Sequence, residues 1–182
     1  MTVLIAYATT EGQTRKIARF CADHLIARGL SVELLPLADL EDEDHVDMAR
    51  FDAAILAGSL HGMRLQPQLV RLAARHAAAL NDRPGLFLMV SLAAAGNDPQ
   101  EHKDLARLSS EFAETSGWAP GKVVHVAGAF RFTQYDFFKS LAMRWIAHSK
   151  GEVVDPHADR EYTDWAALAD LMARWPDAGP KG

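Results

Sequence analysis

Val3-Leu4-Ile5-Ala6-Tyr7-Ala8-Thr9-Thr10-Glu11-Gly12-Gln13-Thr14 joins an apolar run to a hydroxyl-rich loop, and a stretch of helical periodicity, Gln13–Arg28, follows at once. This strand, loop, helix order suits a phosphate. The hydroxyls of Thr9, Thr10 and Thr14 can donate to its oxygens, and Gly12 lets the backbone turn closely around them. The first N–H groups of the next helix point at the same anion. A helix dipole adds only about 0.3–1 kcal/mol per charge at an exposed site, so the hydrogen bonds carry most of the affinity. A P-loop needs a Lys after its last Gly, and a dinucleotide fingerprint needs three spaced glycines; neither occurs here. A single terminal phosphate is the expectation, set against an ordinary Thr/Gly-rich turn with a helix cap.

Four more short apolar runs follow, Val32–Pro36, Ala53–Ala57, Leu86–Val90 and Val123–Ala127. The first run and the last three are apolar at nearly every position, as strands buried on both faces are. Helical periodicity lies between them at Gln13–Arg28, Pro67–Leu80 and Pro99–Thr115, and again at Thr163–Trp175. Gly29 ends the first helix where a left-handed residue is cheap, Pro67 suits a first turn, and Asp98 or Asn97 can cap before Pro99. Alternating strands and helices with right-handed crossovers give a parallel sheet covered on both faces. Ligands of such sheets bind beyond the carboxyl ends of the strands. Three loops meet at that rim: Thr9–Thr14, Gly58–Arg64 and Ser91–Asp98.

The chain of 182 residues, 49% of them apolar, fits one domain. Its opening has no secretory-signal pattern, and no apolar run approaches the roughly 18–20 residues that span a bilayer. Cys21 is the only cysteine, so an internal disulfide and a Cys-based zinc site are excluded and a reducing cytoplasm suits the chain. It shares a helical face with Ile17 and Leu25, which makes it a core residue. The net charge of −5 argues against a general nucleic-acid binder. Asp39, Glu41, Asp42, Glu43, Asp44 and Asp47 surround His45 in what reads as a solvated acidic loop, and no metal is expected. A phosphoacceptor receiver domain shares the topology but needs acids where this chain has Ala8, Thr9, Gly58 and Ser59.

The loop Ala8 to Thr14 resembles the flavodoxin phosphate loop. Its Glu-Gly-Gln-Thr form is similar to that of the flavodoxin-like, menaquinone-dependent protoporphyrinogen dehydrogenases, and so are Ser59, Ala127-Gly128-Ala129 with Arg131, Lys150-Gly151-Glu152 and Tyr162-Thr163-Asp164-Trp165. The resemblance implies a three-layer α/β/α sandwich on a five-stranded parallel sheet in order 2-1-3-4-5. It makes residues 1–182 a single domain, with 130–160 an aromatic-basic helical insertion before the last helix. It also implies FMN, held by Thr9, Thr10, Glu11, Gly12, Gln13 and Thr14 at the phosphate and by Ser59, Leu60, His61, Gly62, Met63, Ser91, Leu92, Ala93, Ala94 and Gly96 along the ring. A porphyrinogen would be the electron donor and a membrane quinone the acceptor. Six electrons leave protoporphyrinogen IX, so a two-electron flavin cycles three times, with the protein positioning the ring and tuning its surroundings. His61 is the one candidate for moving a proton at the flavin.

Members of that family carry more cations around the second and third loops, and an Arg and a Tyr where this chain has His61 and Gly62. Ser91–Asp98 is nearly neutral, leaving propionates fewer partners. The rim loops also lack the Trp or Tyr that flanks the ring in electron-carrier flavodoxins, which implies an open flavin suited to a bulky substrate. An electron carrier serving a protein partner, a nicotinamide-fed quinone reductase and a cofactor-free interaction module are the alternatives, the last disfavoured by the intact hydroxyls of Thr9, Thr10 and Thr14. Between Phe130 and Lys150, six aromatics mix with Arg131, Lys139, Arg144, His148 and Lys150. Phe137, Phe138, Leu141 and Trp145 fall near one helical face, which fits peripheral membrane contact, packing on the domain, or a subunit contact.

Overall fold

The computed structural model describes residues 1–40, 46–130 and 160–176. The acidic stretch 41–45 and residues 131–159, which include nearly all of the aromatic-basic segment, lie outside the described residues.

Five strands form one parallel sheet: β1 (Thr2–Ala8), β2 (Ser31–Pro36), β3 (Ala53–Ser59), β4 (Gly85–Ser91) and β5 (Lys122–Ala127). Their order is β2-β1-β3-β4-β5, as expected. The helices are α1 (Gln13–Ala27), α2 (Pro67–Arg75), α3 (Ala77–Asn81), α4 (Pro99–Ser116) and α5 (Trp165–Arg174). Register aligns Ala8 with Gly58, Ser59 with Val90 and Ser91 with Ala127, so the carboxyl ends of four strands form one rim.

Alternate residues of each central strand feed two separate cores, because successive side chains point to opposite faces. Val3, Ile5, Tyr7, Ile55, Leu88 and Val90 meet Ile17, Cys21 and Leu25 of α1 and Leu168 and Met172 of α5. Leu4, Ala6, Leu56, Phe87 and Met89 meet Leu69, Leu72, Leu80, Leu105, Phe112 and Trp118 on the other side. Both faces of β1, β3 and β4 are therefore dry, which explains their uninterrupted apolar runs. Cys21 lies in the first core, and burial pushes its thiol up to about 12. It is a packing residue with no thiolate to react.

The expected helix ends hold. Gly29 has φ 83, Pro67 opens α2, and the Asp98 carboxylate accepts from the Gln100 N–H at 2.8 Å. Two expectations are corrected. Val123–Ala127 is an edge strand, mostly exposed or half-buried apart from Val126, since no element covers its outer side among the described residues. The Pro67–Leu80 segment bends at His76, whose φ of −109 departs from helical values. The Leu80 N–H still bonds the His76 carbonyl at 2.9 Å, and the bend brings Leu80 into the core beside Leu69 and Leu72.

Two arginines close the distal turns. Arg28 donates to the Met172 and Trp175 carbonyls at the end of α5, and Arg83 to those of Ala79, Met48 and Phe51. After β5, the chain makes a two-residue antiparallel ladder, β6 (Ala129–Phe130) with β7 (Arg160–Glu161). No helix among the described residues is long and apolar enough to cross a membrane.

Candidate functional site

The three rim loops converge. Thr9, Thr10, Glu11, Gln13, Thr14, Ser59, Leu60, His61, Ser91 and Leu92 line one cleft, and Val90, Gly128 and Ala129 complete it. The cleft encloses about 60 Å³. That is room for a phosphate group, well short of the roughly 300–1,000 Å³ of sites that enclose a drug-sized ligand. Anything larger extends over the open rim.

Backbone geometry aims the first loop. Gly12 has φ 88 and precedes α1 with no side-chain cap, so the first-turn N–H groups of α1 lack intrahelical acceptors and face the cleft end of the helix. The Gly12 N–H instead reaches back to Thr9 Oγ1 at 2.9 Å. Accepting that bond leaves the Thr9 hydroxyl proton available to a ligand. Thr14 is only 1% exposed, and its Oγ1 is buried with no hydrogen-bond partner. Such a group costs about 1–3 kcal/mol unless something enters to meet it. Among the described residues no Lys or Arg lines the cleft. The Arg15 guanidinium does come within 3.8 Å of the position a Gly12 Cβ would take, placing a positive charge beside the loop.

Gln13 lines the cleft, and its side chain is also engaged with the chain beyond residue 160. Its Nε2 donates to Glu161 Oε2 at 3.2 Å and to Thr163 Oγ1 at 2.9 Å, and Thr163 in turn donates to the Ala127 carbonyl at 2.7 Å. The side-chain amide thus braces the first loop against the chain beyond residue 160. Lys16 pairs with Glu161 and lies 5.2 Å from the Trp165 ring centroid, while Trp165 Nε1 donates to Glu161 Oε1 at 2.7 Å. Trp165 also packs on Phe20, so the Tyr162–Trp165 segment fixes the last helix against α1. Burial alone would raise the Glu161 carboxyl; hydrogen bonds from Lys16, Trp165 and Gln13 outweigh it and hold the group below its ordinary 4.5. A depressed carboxylate stabilises the fold above its unfolded value, and that contribution is lost as pH falls through the folded value. Glu161→Gln should therefore lower the thermal midpoint near neutrality, and the gap from wild type should close below pH 4.5; a gap that persists in acid would dismiss the linkage.

The second loop is a tight hairpin. His61 and Arg64 exchange backbone bonds of 2.9 and 3.1 Å around Gly62 (φ 55) and Met63 (φ 62). Positive φ at both central residues is the pattern of a type I′ turn, and Met63 there is strained. His61 lines the cleft, whereas Gly62 and the half-exposed Met63 do not. In the third loop Ser91 Oγ accepts from the Ala94 N–H at 3.1 Å, folding Ala93–Ala95 into a 3-10 turn. Ala93 and Ala94 pack toward the core, and with Gly96 they stay out of the cleft lining.

Gln66 escaped the sequence reading. It stands just before α2, and its Nε2 donates both to Thr10 Oγ1 at 3.2 Å and to Ser59 Oγ, tying the first loop to the second. A polar residue ahead of Pro67 reads as a turn or cap in one dimension. Only the sheet order places it between the two loops.

A parallel five-stranded sheet of this order with a phosphate-type loop after β1 defines a flavodoxin-like α/β protein, and the chain belongs to the flavodoxin domain family, whose model matches residues 4–156. Among curated proteins it is similar to "Protoporphyrinogen IX dehydrogenase [quinone]" of Escherichia coli K12, 25% identical over 171 residues that cover 94% of this chain and 92% of that protein. A protein of the same name from Leishmania major is 27% identical over 172 residues, 91% of this chain and 70% of the other. Among solved structures, oxidised flavodoxin 1 from Bacillus cereus superimposes with a TM-score of 0.50 at 14% identity, covering 81% of this chain and 95% of that one.

Proposed function

We propose that this protein is an FMN-dependent oxidoreductase that takes electrons from protoporphyrinogen IX and passes them to a quinone. The buried, unpartnered Thr14 hydroxyl in the first rim loop carries the cofactor reading, because a phosphate would supply the acceptor that it lacks. The similarity to proteins named for protoporphyrinogen and quinone, along nearly the whole chain, supports the substrate. Thr9, Thr10, Thr14 and Ser59 would donate to the phosphate, and the α1 N–H groups would share its charge. The backbone of 60–63 and 91–96 would border the ring. The Gln13 side chain would hold the loop while its N–H, the first of α1, faces the phosphate.

Bound FMN supplies two-electron redox chemistry. Removal of six electrons and six protons from the porphyrinogen thus takes three rounds and reduces three quinones to quinols. His61, on the cleft lining, would shuttle a proton between donor and solvent. Among the described residues no Trp or Tyr lines the cleft, which suits a bulky tetrapyrrole donor. On this reading residues 1–182 form a single domain, and 130–150 brings it to the cytoplasmic face of the membrane where a lipid quinone resides.

Purified protein reconstituted with FMN should show a bound-flavin absorption spectrum. Incubated anaerobically with protoporphyrinogen IX and a menaquinone analogue, it should then generate porphyrin fluorescence only when both FMN and quinone are present. A protein that takes up no FMN would overturn the cofactor. Rapid flavin reduction by NADPH, with porphyrinogen untouched, would make the protein a quinone reductase instead.

A further inference from the structure

We infer that Gln66 is a positioning residue that sets the hydrogen-bond polarity of the phosphate cradle; the inference rests on the phosphate reading given above. The Gln66 side-chain amide spends both of its N–H groups on hydroxyl oxygens, those of Thr10 at 3.2 Å and of Ser59. A hydroxyl has one proton and two lone pairs. Where the oxygen accepts from Gln66, the proton is released from that contact and is directed elsewhere. Both hydroxyl residues line the cleft, so the anion position is an outlet within reach of both protons. A phosphate accepts and does not donate, so hydroxyls presented proton-first bind it and hydroxyls presented lone-pair-first repel it.

The amide is held in this sense by its surroundings. The Gln66 carbonyl accepts from the N–H groups of Leu69 at 3.1 Å and Val70 at 3.4 Å, which fixes the backbone from which the side chain extends. Its Oε1 is buried without a partner and lies 3.4 Å from where a Gly58 Cβ would stand, next to the Leu65 and Leu69 side chains. Reversing the amide would bury an NH₂ group there, two donors without acceptors in place of one under-used carbonyl. Orphaned donors are the rarer and costlier of the two. One glutamine therefore orients two hydroxyls from two different loops, and it does so without touching the ligand.

Two near-isosteric substitutions separate polarity from packing. In Gln66→Glu the carboxylate is acceptor-only, so it draws in the protons of Thr10 and Ser59 and turns their lone pairs to the cleft. In Gln66→Met the volume stays and the hydrogen bonds go. The full chain would be titrated with FMN and with riboflavin, which has the same ring and no phosphate, following flavin fluorescence. For Gln66→Glu we expect FMN affinity to fall by about tenfold or more while riboflavin affinity changes less than about threefold. Gln66→Met should fall between that variant and wild type, and it carries the test alone if the Glu variant does not fold. If both variants keep the wild-type ratio of FMN to riboflavin affinity, the role of Gln66 is wrong. If wild type itself shows no preference for FMN over riboflavin, the phosphate reading fails first.

Discussion

Thr14→Val should make the apoprotein equally or more stable and should at the same time weaken FMN binding by about 10- to 100-fold. The two effects have opposite signs for one reason. Thr14 Oγ1 is buried and unpartnered, so an isosteric methyl removes a polar group that costs about 1–3 kcal/mol in the ligand-free fold. In a protein of this size each kcal/mol moves the thermal midpoint by about 2–4 °C. With a phosphate present the same hydroxyl would donate to a charged acceptor, a bond worth about 1.5–3 kcal/mol. Calorimetry of the apoprotein and a flavin titration read the two halves. A general loosening of the fold would lower both quantities, and unchanged affinity would remove Thr14 from the phosphate site.

Trp118→Ala should do the reverse, costing about 3–5 kcal/mol of stability while leaving FMN affinity of the folded protein unchanged. Trp118 is wholly buried, stacked edge-on to Phe87 and Phe112, and a Cβ on Gly85 would come within 3.0 Å of its ring. Gly85 begins β4 and Ser91 ends it, so about 20 Å of strand separates this packing from the rim. Trp118→Phe should be much milder, because the indole N–H has no partner to lose. A fall in flavin affinity that tracked the loss of stability would show that the two ends of the sheet are coupled.

These two residues also mark how far the sequence can be read. Thr14 was legible because its loop is local: strand, hydroxyls, glycine and helix lie within a dozen residues. The central strands were legible because burial on both faces leaves no room for polar residues. The exposure of β5 was not, since Val123, Val124 and Val126 look the same on an edge as in the middle until the neighbours are known. The parts of Gln13 and Gln66 depend on partners brought together by topology. Gln13 meets Thr163 across 150 positions and Gln66 meets Thr10 across 56, and no periodicity signals either. The β6–β7 ladder, two residues a side, is too short to leave a pattern.

The Gln13 brace bears on when the site is built. Its supports, Glu161 and Thr163, lie about 150 positions further along the chain, and Thr163 is itself tied to the end of β5. During synthesis the Thr9–Thr14 loop emerges more than a hundred residues before its strut arrives. Contacts of such sequence separation close late, because their loop entropy is paid before they reward it. The loop is fully braced only once residue 163 has been made and has folded back onto it. A chain stopped before residue 160 would hold the hydroxyls of the loop but not the amide anchorage that keeps them in place.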